Sequence, residues 1–317
     1  MISNDHRTTR RALLATTGMG AASIPLLALS AAGQDATPAG GSARDEAEAE
    51  AAYVIQFQHP EKVYFYLPGF QDEAFLATMY GVDVDTYLAI RADFDAAAHG
   101  AAEELLADEA FASLVDALPF EPGSAVVAIG ESDTDDLQSW FEILRHLVTM
   151  RRPDDGIRFV NHGISGQNTS QALGQMGVAL AEQPTWLFCL LGGNDVLRNG
   201  FDADKTEVSI DETERNLTEM RRLATEGSDL TWVWLTRPPI DEARVATWPG
   251  FEMGGITFRN ADVELVNDFI ARQPETVVDI YSTFGDPSTE LLGPDGVHAS
   301  LAGQAAIART VVETLAG

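Results

Sequence analysis

From Ser124 to the C-terminus, short apolar runs alternate with segments of helical spacing. This alternation constrains the fold more than any other feature of the 317-residue chain. The runs are Ala125-Val126-Val127-Ala128-Ile129, Ile157-Arg158-Phe159-Val160-Asn161, Trp186-Leu187-Phe188-Cys189-Leu190-Leu191, Leu230-Thr231-Trp232-Val233-Trp234-Leu235 and Val277-Val278-Asp279-Ile280. Each fits one strand and is too short for a helix. Helical patterns cover residues 136–150, 171–181, 211–225, 260–271 and 301–315, and Asp211 and Glu214 are spaced as a capping box. Continuously apolar strands separated by helices predict an α/β fold whose parallel sheet is covered on both faces. With 45% hydrophobic residues the chain is too apolar for global disorder.

Residues 53–121 lack alternating strand patterns. Residues 88–94 and 101–118 have apolar positions three and four apart, and Leu105, Leu106, Phe111, Leu114, Val115 and Leu118 form one stripe ended by Pro119 and Pro122. This predicts a helical extension packed on the main domain, without a chemical constellation of its own. Tyr64, Phe65, Tyr66 and Phe70 are expected in its core, with a binding surface as the alternative.

The N-terminus reads Thr9-Arg10-Arg11-Ala12 and continues uncharged to Ala32. A twin arginine before a weakly apolar run resembles a Tat export signal, with Ser30-Ala31-Ala32 as the cleavage site. The run approaches bilayer length, so an uncleaved anchor is the alternative, but Gly18, Gly20 and Pro25 make a mediocre spanning helix, and no stable membrane insertion is expected after cleavage. Residues 33–52 hold almost no large apolar side chain and read as a flexible acidic linker. The main α/β domain is expected over residues 122–317.

The formal charge of −29 comprises +2 on residues 1–32 and −4 on residues 33–52, which leaves −27 on residues 53–317. Such a body argues against nucleic acid or anionic membrane as a partner, because binding phosphate needs clustered cations. The only lysines are Lys62 and Lys205. Cys189 is the single cysteine, which excludes an intrachain disulfide and a multi-cysteine metal cage. Its place in mid-strand suits a small core residue.

In a parallel sheet of this kind, functional residues gather in loops at the carboxyl ends of the strands. Four such loops are informative: Gly130-Glu131-Ser132-Asp133-Thr134, Gly163-Ile164-Ser165-Gly166-Gln167-Asn168-Thr169, Gly192-Gly193-Asn194-Asp195 and Asp295-Gly296-Val297-His298. Asp295 can bond one imidazole nitrogen of His298 and fix its tautomer, leaving the other nitrogen to take a proton. Ser132 is a candidate nucleophile, a weak one until a base activates it. The Gly166 N–H, the Asn194 amide and the Ser132 N–H are candidate oxyanion donors, each worth about 3 kcal/mol of barrier.

Together these blocks resemble those of the SGNH/GDSL hydrolase family. The first block of that family is Gly-Asp-Ser-x-(Thr/Ser), matched by residues 130–134 except that Glu131 stands where the family has Asp. The second is matched at Gly166, with Gly163 the weaker candidate. Gly192 to Asp195 match Gly-x-Asn-Asp fully, and Asp295 and His298 match Asp-x-x-His, followed by the family-like Gly303. The resemblance covers residues 122–317. It implies a three-layer α/β/α, flavodoxin-like fold with a five-stranded sheet, Ser132 as nucleophile, His298 as base, Asp295 as its orienting acid, and Gly166 and Asn194 as oxyanion donors.

Asp133, Asp135 and Asp136 are read as helix-start acids that suit the helix dipole rather than as a metal site. Asp195 is expected to brace the third loop. His162 is read as a structural neighbour of the second block, and His59, His99 and His146 lack suitable partners nearby in sequence. Residues 238–258 form a long connection whose Trp248, Phe251 and Phe258 are expected to wall or cover an acyl pocket. The expected protein is an exported serine ester hydrolase needing no cofactor or metal. Its substrate would be a neutral small-molecule, lipid or acetylated carbohydrate ester. Acyl transfer to a sugar hydroxyl is a variant of the same chemistry. The rival is a non-catalytic binding protein on the same fold, which has no need of both Ser132 and His298.

Overall fold

The computed structural model describes residues 43–200, 204–287 and 289–317. The expected export signal and the first part of the linker lie outside these residues. Among the described residues, no helix is long and apolar enough to cross a membrane.

The described residues form seven strands: β1 (Ala125–Gly130), β2 (Arg158–Gly163), β3 (Trp186–Leu190), β4 (Arg198–Asn199), β5 (Thr231–Leu235), β6 (Ile256–Thr257) and β7 (Thr276–Val278). Five form a wholly parallel sheet in the order β2-β1-β3-β5-β7. β4 and β6 pair antiparallel in a separate ribbon. The expected α/β/α sheet is therefore present, in flavodoxin-like order.

Strand periodicity divides the core into two faces. Val126, Ala128, Phe188, Leu190, Val233, Leu235 and Val278 pack under the helices Val84–Leu106, Glu109–Asp116, Trp140–Arg151 and Leu301–Ala316. Val127, Ile129, Leu187, Cys189, Trp232 and Trp234 pack on the other face, under Thr169–Ala181, Ile210–Thr225 and Asn260–Ala271. Each fully buried Val, Leu or Ile stabilises the fold by about 1.5–3 kcal/mol.

The extension divides in two. Its later half belongs to the first helical layer: Ala98, Ala102, Leu105, Phe111, Val115 and Leu118 are buried in the main core. The single stripe expected over residues 101–118 is broken, because Asp108 caps a new helix by accepting from Ala110 N and Phe111 N. The earlier half has a small core of its own, built from Ala51, Ile55, Leu76, Ala77 and Tyr87. Here the aromatic run departs from expectation. Phe70 packs against this small core, but Phe65 and Tyr66 are 49% and 66% exposed, on a stretch that turns rather than forming a helix.

The linker expected up to Ala52 ends sooner. A helix runs from Ala43 to Phe57, because alanine, glutamate and arginine are good helix formers even without apolar bulk. The capping box expected at Asp211 and Glu214 is also displaced: the helix starts at Ile210 with Ser209 as N-cap and no side-chain cap bond. A full capping box occurs instead at Asn168 and Gln171, one helix earlier.

Candidate active site

β1 lies between β2 and β3, so the crossovers leave its carboxyl end in opposite directions. The crevice expected at such a switch point receives the loop that follows β1. There the strand turns directly into the short helix Ser132–Asp135. Ser132 is its first residue, and its N–H has no acceptor within the helix.

Glu131 is wholly buried and ties the first loop to the third. Its carboxylate accepts from Gly193 N and Asn194 N at 2.8 Å each and from Asn194 Nδ2 at 2.6 Å. Burial pushes its pKa up, against the pull of Arg237 and those amides. Arg237, at the end of β5, holds the residues on both sides of Ser132. Its Nη1 lies 2.9 Å from Glu131 Oε1, and its Nη2 lies 3.1 Å from Asp133 Oδ2. The side-chain carbonyl of Asn267 accepts from Arg237 N at 2.7 Å, which fixes the backbone behind the guanidinium. Gly193 is required here, because a Cβ would lie 2.7 Å from both Arg237 Nη2 and Glu131 Oε1.

The last loop is a tight turn closed by Gly293 N donating to His298 O at 2.7 Å and by the bridge between Leu292 and Ala299. Within it, Asp295 Oδ1 accepts from Val297 N and His298 N at 2.9 and 3.0 Å, and Asp295 Oδ2 lies 2.5 Å from His298 Nδ1. Burial alone would push the His298 imidazole down. The Asp295 carboxylate, aided by Asp133 and Asp136, outweighs this and raises its pKa to about 9. Asp133 also accepts from Ala299 N at 2.9 Å, which fixes the Ser132 loop against the His298 loop.

Ser132, Asn194 and His298 line one pocket, together with Glu131, Gly193, Arg237, Phe251 and Phe258. No hydrogen bond joins Ser132 Oγ to the imidazole among the described contacts. Asn194 Nδ2 donates to Gln167 O at 3.1 Å as well as to Glu131, so both its hydrogens are engaged. Gly166 takes a left-handed φ of 78° and is not among the lining residues. Asp295 stands behind His298. Of the expected lid residues, Phe251 and Phe258 wall the pocket, with rings 5.9 Å apart. Trp248 does not line it; its ring packs on the core beneath. Residues 238–258 are not a bare loop, since they fold into the helices Glu242–Thr247 and Pro249–Gly254 and the strand β6.

The three acids after Ser132 are more than helix-start charges, for each has a separate partner. Asp133 meets Arg237 and Ala299 N. Asp135 meets His59 Nδ1 at 2.7 Å, Lys62 Nζ at 2.6 Å and Ser165 N at 2.7 Å. Asp136 meets Gln56 Nε2 at 3.0 and 3.1 Å and Gln138 N at 2.9 Å. Among the described residues, no group of three or more His, Cys, Asp or Glu is arranged to hold a metal ion. Asp195 braces the third loop by accepting from Thr169 N at 2.9 Å and Thr213 Oγ1 at 2.8 Å. His162 stays off the pocket, with burial lowering its pKa.

Sequence reasoning missed Arg237, although a cation directly after an apolar strand at the carboxyl edge of the sheet was a usable signal. It also missed His59, Lys62 and Gln56. His59 and Asp135 are 76 residues apart, so no local pattern links them. His146 likewise has a distant partner, Asp95, at 3.0 Å.

Among solved structures, the chain is similar to a variant of an acetyl-xylooligosaccharide esterase from Geobacillus stearothermophilus. The identity is 22% and the TM-score 0.50, over 63% of this chain and 97% of that one. It is also similar to an α/β hydrolase enzyme from the metagenome of Lake Arreo, Spain, at 21% identity and a TM-score of 0.49, over 62% of this chain and 96% of that one. At 22% identity the likeness to the first of these shows the fold alone. No curated protein sequence matches the chain. The parallel sheet carries its Ser, Gly-x-Asn-Asp and Asp-x-x-His loops on one edge, and the model of the GDSL-like lipase/acylhydrolase family matches residues 123–306, more than half of the sequence: the chain belongs to that family.

Proposed function

We propose that the protein is an exported serine esterase that cleaves neutral carboxylic esters with small acyl groups through an acyl-enzyme. The observation that carries this reading is the meeting of Ser132, Asn194 and the Asp295-held His298 around one pocket walled by Phe251 and Phe258. The His298 nitrogen not bonded to Asp295 takes the Ser132 proton as Oγ attacks the ester carbonyl. The oxyanion is met by the Ser132 N–H and by Asn194 Nδ2, which exchanges its bond to Gln167 O for the new one. The imidazolium returns the proton to the leaving alcohol. Water then repeats the sequence on the acyl-serine and frees the acid.

Several features support the finer points. Two buried phenyl rings close the pocket wall, which suits short acyl groups. The body carries −27, which disfavours anionic substrates. The twin arginine at residues 10 and 11 supports export. A fluorophosphonate probe should label the folded protein at Ser132. Labelling that persists in Ser132→Ala would remove the nucleophile assignment. A hydrolysis profile over acyl length and acetylated sugars should peak at the shortest acyl groups.

A further inference from the structure

The family match begins at residue 123 and leaves the extension unaccounted for. Yet the first helix of the extension ends on the pocket histidine. Phe57 is 6% exposed, and its ring centroid lies 5.0 Å from that of the His298 imidazole, with the planes 37° apart. The chain on either side of Phe57 is fastened to residues just beyond Ser132. Gln56 donates to both oxygens of Asp136, and Gln56 O accepts from Leu137 N at 3.2 Å. Two and five residues after Phe57, His59 and Lys62 share the buried Asp135 carboxylate. Behind Phe57, Tyr53 packs edge-on at 5.6 Å, and Ile55 is fully buried. The ring is therefore held from both ends and from behind.

An imidazole with one nitrogen on a carboxylate still has ring faces open to water. Water there weakens the carboxylate–imidazole attraction and lets the ring rotate away from its working pose. We propose that Phe57 is a positioning residue for His298: its ring keeps the imidazole on Asp295 and shields that pair from water, so the first helix of the extension supports the active site at its last residue. The proposal rests on the esterase reading of Ser132 and His298. An aromatic face also favours the imidazolium formed during proton transfer, as a cation over a ring. Leucine would fill much of the same space without a flat face.

The test uses the full chain with p-nitrophenyl acetate and a fluorophosphonate probe. Phe57→Leu should lower kcat by about tenfold and slow Ser132 labelling by the same factor, with KM changed by less than about twofold. Phe57→Tyr should retain both rates, and the Tm of each variant should match wild type. Wild-type kcat and labelling rate in Phe57→Leu would overturn the proposal while leaving the esterase reading intact. Equal losses in Phe57→Leu and Phe57→Tyr, with lowered Tm, would also overturn it, by showing packing alone. A folded wild-type protein that takes no label would overturn the esterase reading and the proposal with it.

Discussion

Two buried carboxylates in this molecule each hold an imidazole by its Nδ1, Asp295 with His298 at 2.5 Å and Asp135 with His59 at 2.7 Å. By distance alone they are nearly the same object. They differ in what else the carboxylate meets and in where the ring lies. Among the described residues, Asp295 takes backbone amides and no cation beyond its histidine, so its attraction falls on the imidazole and, with Asp133 and Asp136, raises the His298 pKa to about 9. Asp135 also takes Lys62 Nζ at 2.6 Å, and its pKa is lowered: burial pushes it up, and Lys62 and His59 together outweigh that. His298 lines the pocket with Ser132, whereas His59 Nε2 is buried with no hydrogen-bond partner among the described residues. A carboxylate–imidazole pair is thus not a catalytic device by itself. On the proposed reading, the Asp295–His298 pair differs in that no second cation shares its acid and its imidazole lines the pocket with Ser132.

The sharpest break of this comparison is at the reacting atoms. Ser132→Ala or His298→Ala should lower kcat by about 10⁴-fold or more without loss of fold. His59→Gln should leave kcat within a few-fold. Equal losses at both histidines would erase the distinction. Next is the loop that presents Asn194. Glu131→Gln removes the charge facing Arg237 and one acceptor of the Asn194 amide, and should cost about 10²–10³-fold in kcat with little change in KM.

The pH profile tests the imidazole itself. A base must be neutral, so kcat/KM should rise with pH through an inflection near 9, well above that of an ordinary imidazole. A limb centred near pH 6.5 would show that Asp295 does not act on His298 as the geometry indicates. The same shift acts on stability with the opposite sign. The folded state binds the His298 proton more tightly than the unfolded chain, so the pair stabilises fully below pH 6.5 and loses that contribution as pH climbs through about 9. Urea midpoints across this range would show it. At the other pair, His59→Gln should lower stability by about 1–3 kcal/mol, through the buried Asp135 oxygen left short of a partner. The smallest effect concerns the pocket wall: Phe251→Ala should shift preference toward longer acyl chains by about tenfold.

The four loops were legible in sequence because each is a contiguous motif whose residues act within a few positions of one another. Asp295 and His298 are three apart and meet through one tight turn. The five strands were legible because each holds a short apolar run, although Arg158 and Asn161 interrupt the second and Asp279 ends the fifth early as a helix N-cap. The extension was legible as helices, but not as a neighbour of the site. Nothing near His59 or Phe57 announces Asp135 or His298. Trp248 was misplaced for a related reason: aromatic content marks burial, and only packing decides which cavity a ring faces.

The sequence by itself determined the α/β class, the order of the strands along the chain, and the chemical groups at the carboxyl edge of the sheet. These follow from periodicity and from short-range bonding, which act over a few residues. Tertiary structure alone decided that Arg237 would hold both neighbours of Ser132, that Glu131 would engage the Asn194 amide, and that Phe57 would lie against His298. Those contacts join residues tens to hundreds of positions apart. Their geometry is set by how helices settle on the sheet, a property of the whole packed core rather than of any segment.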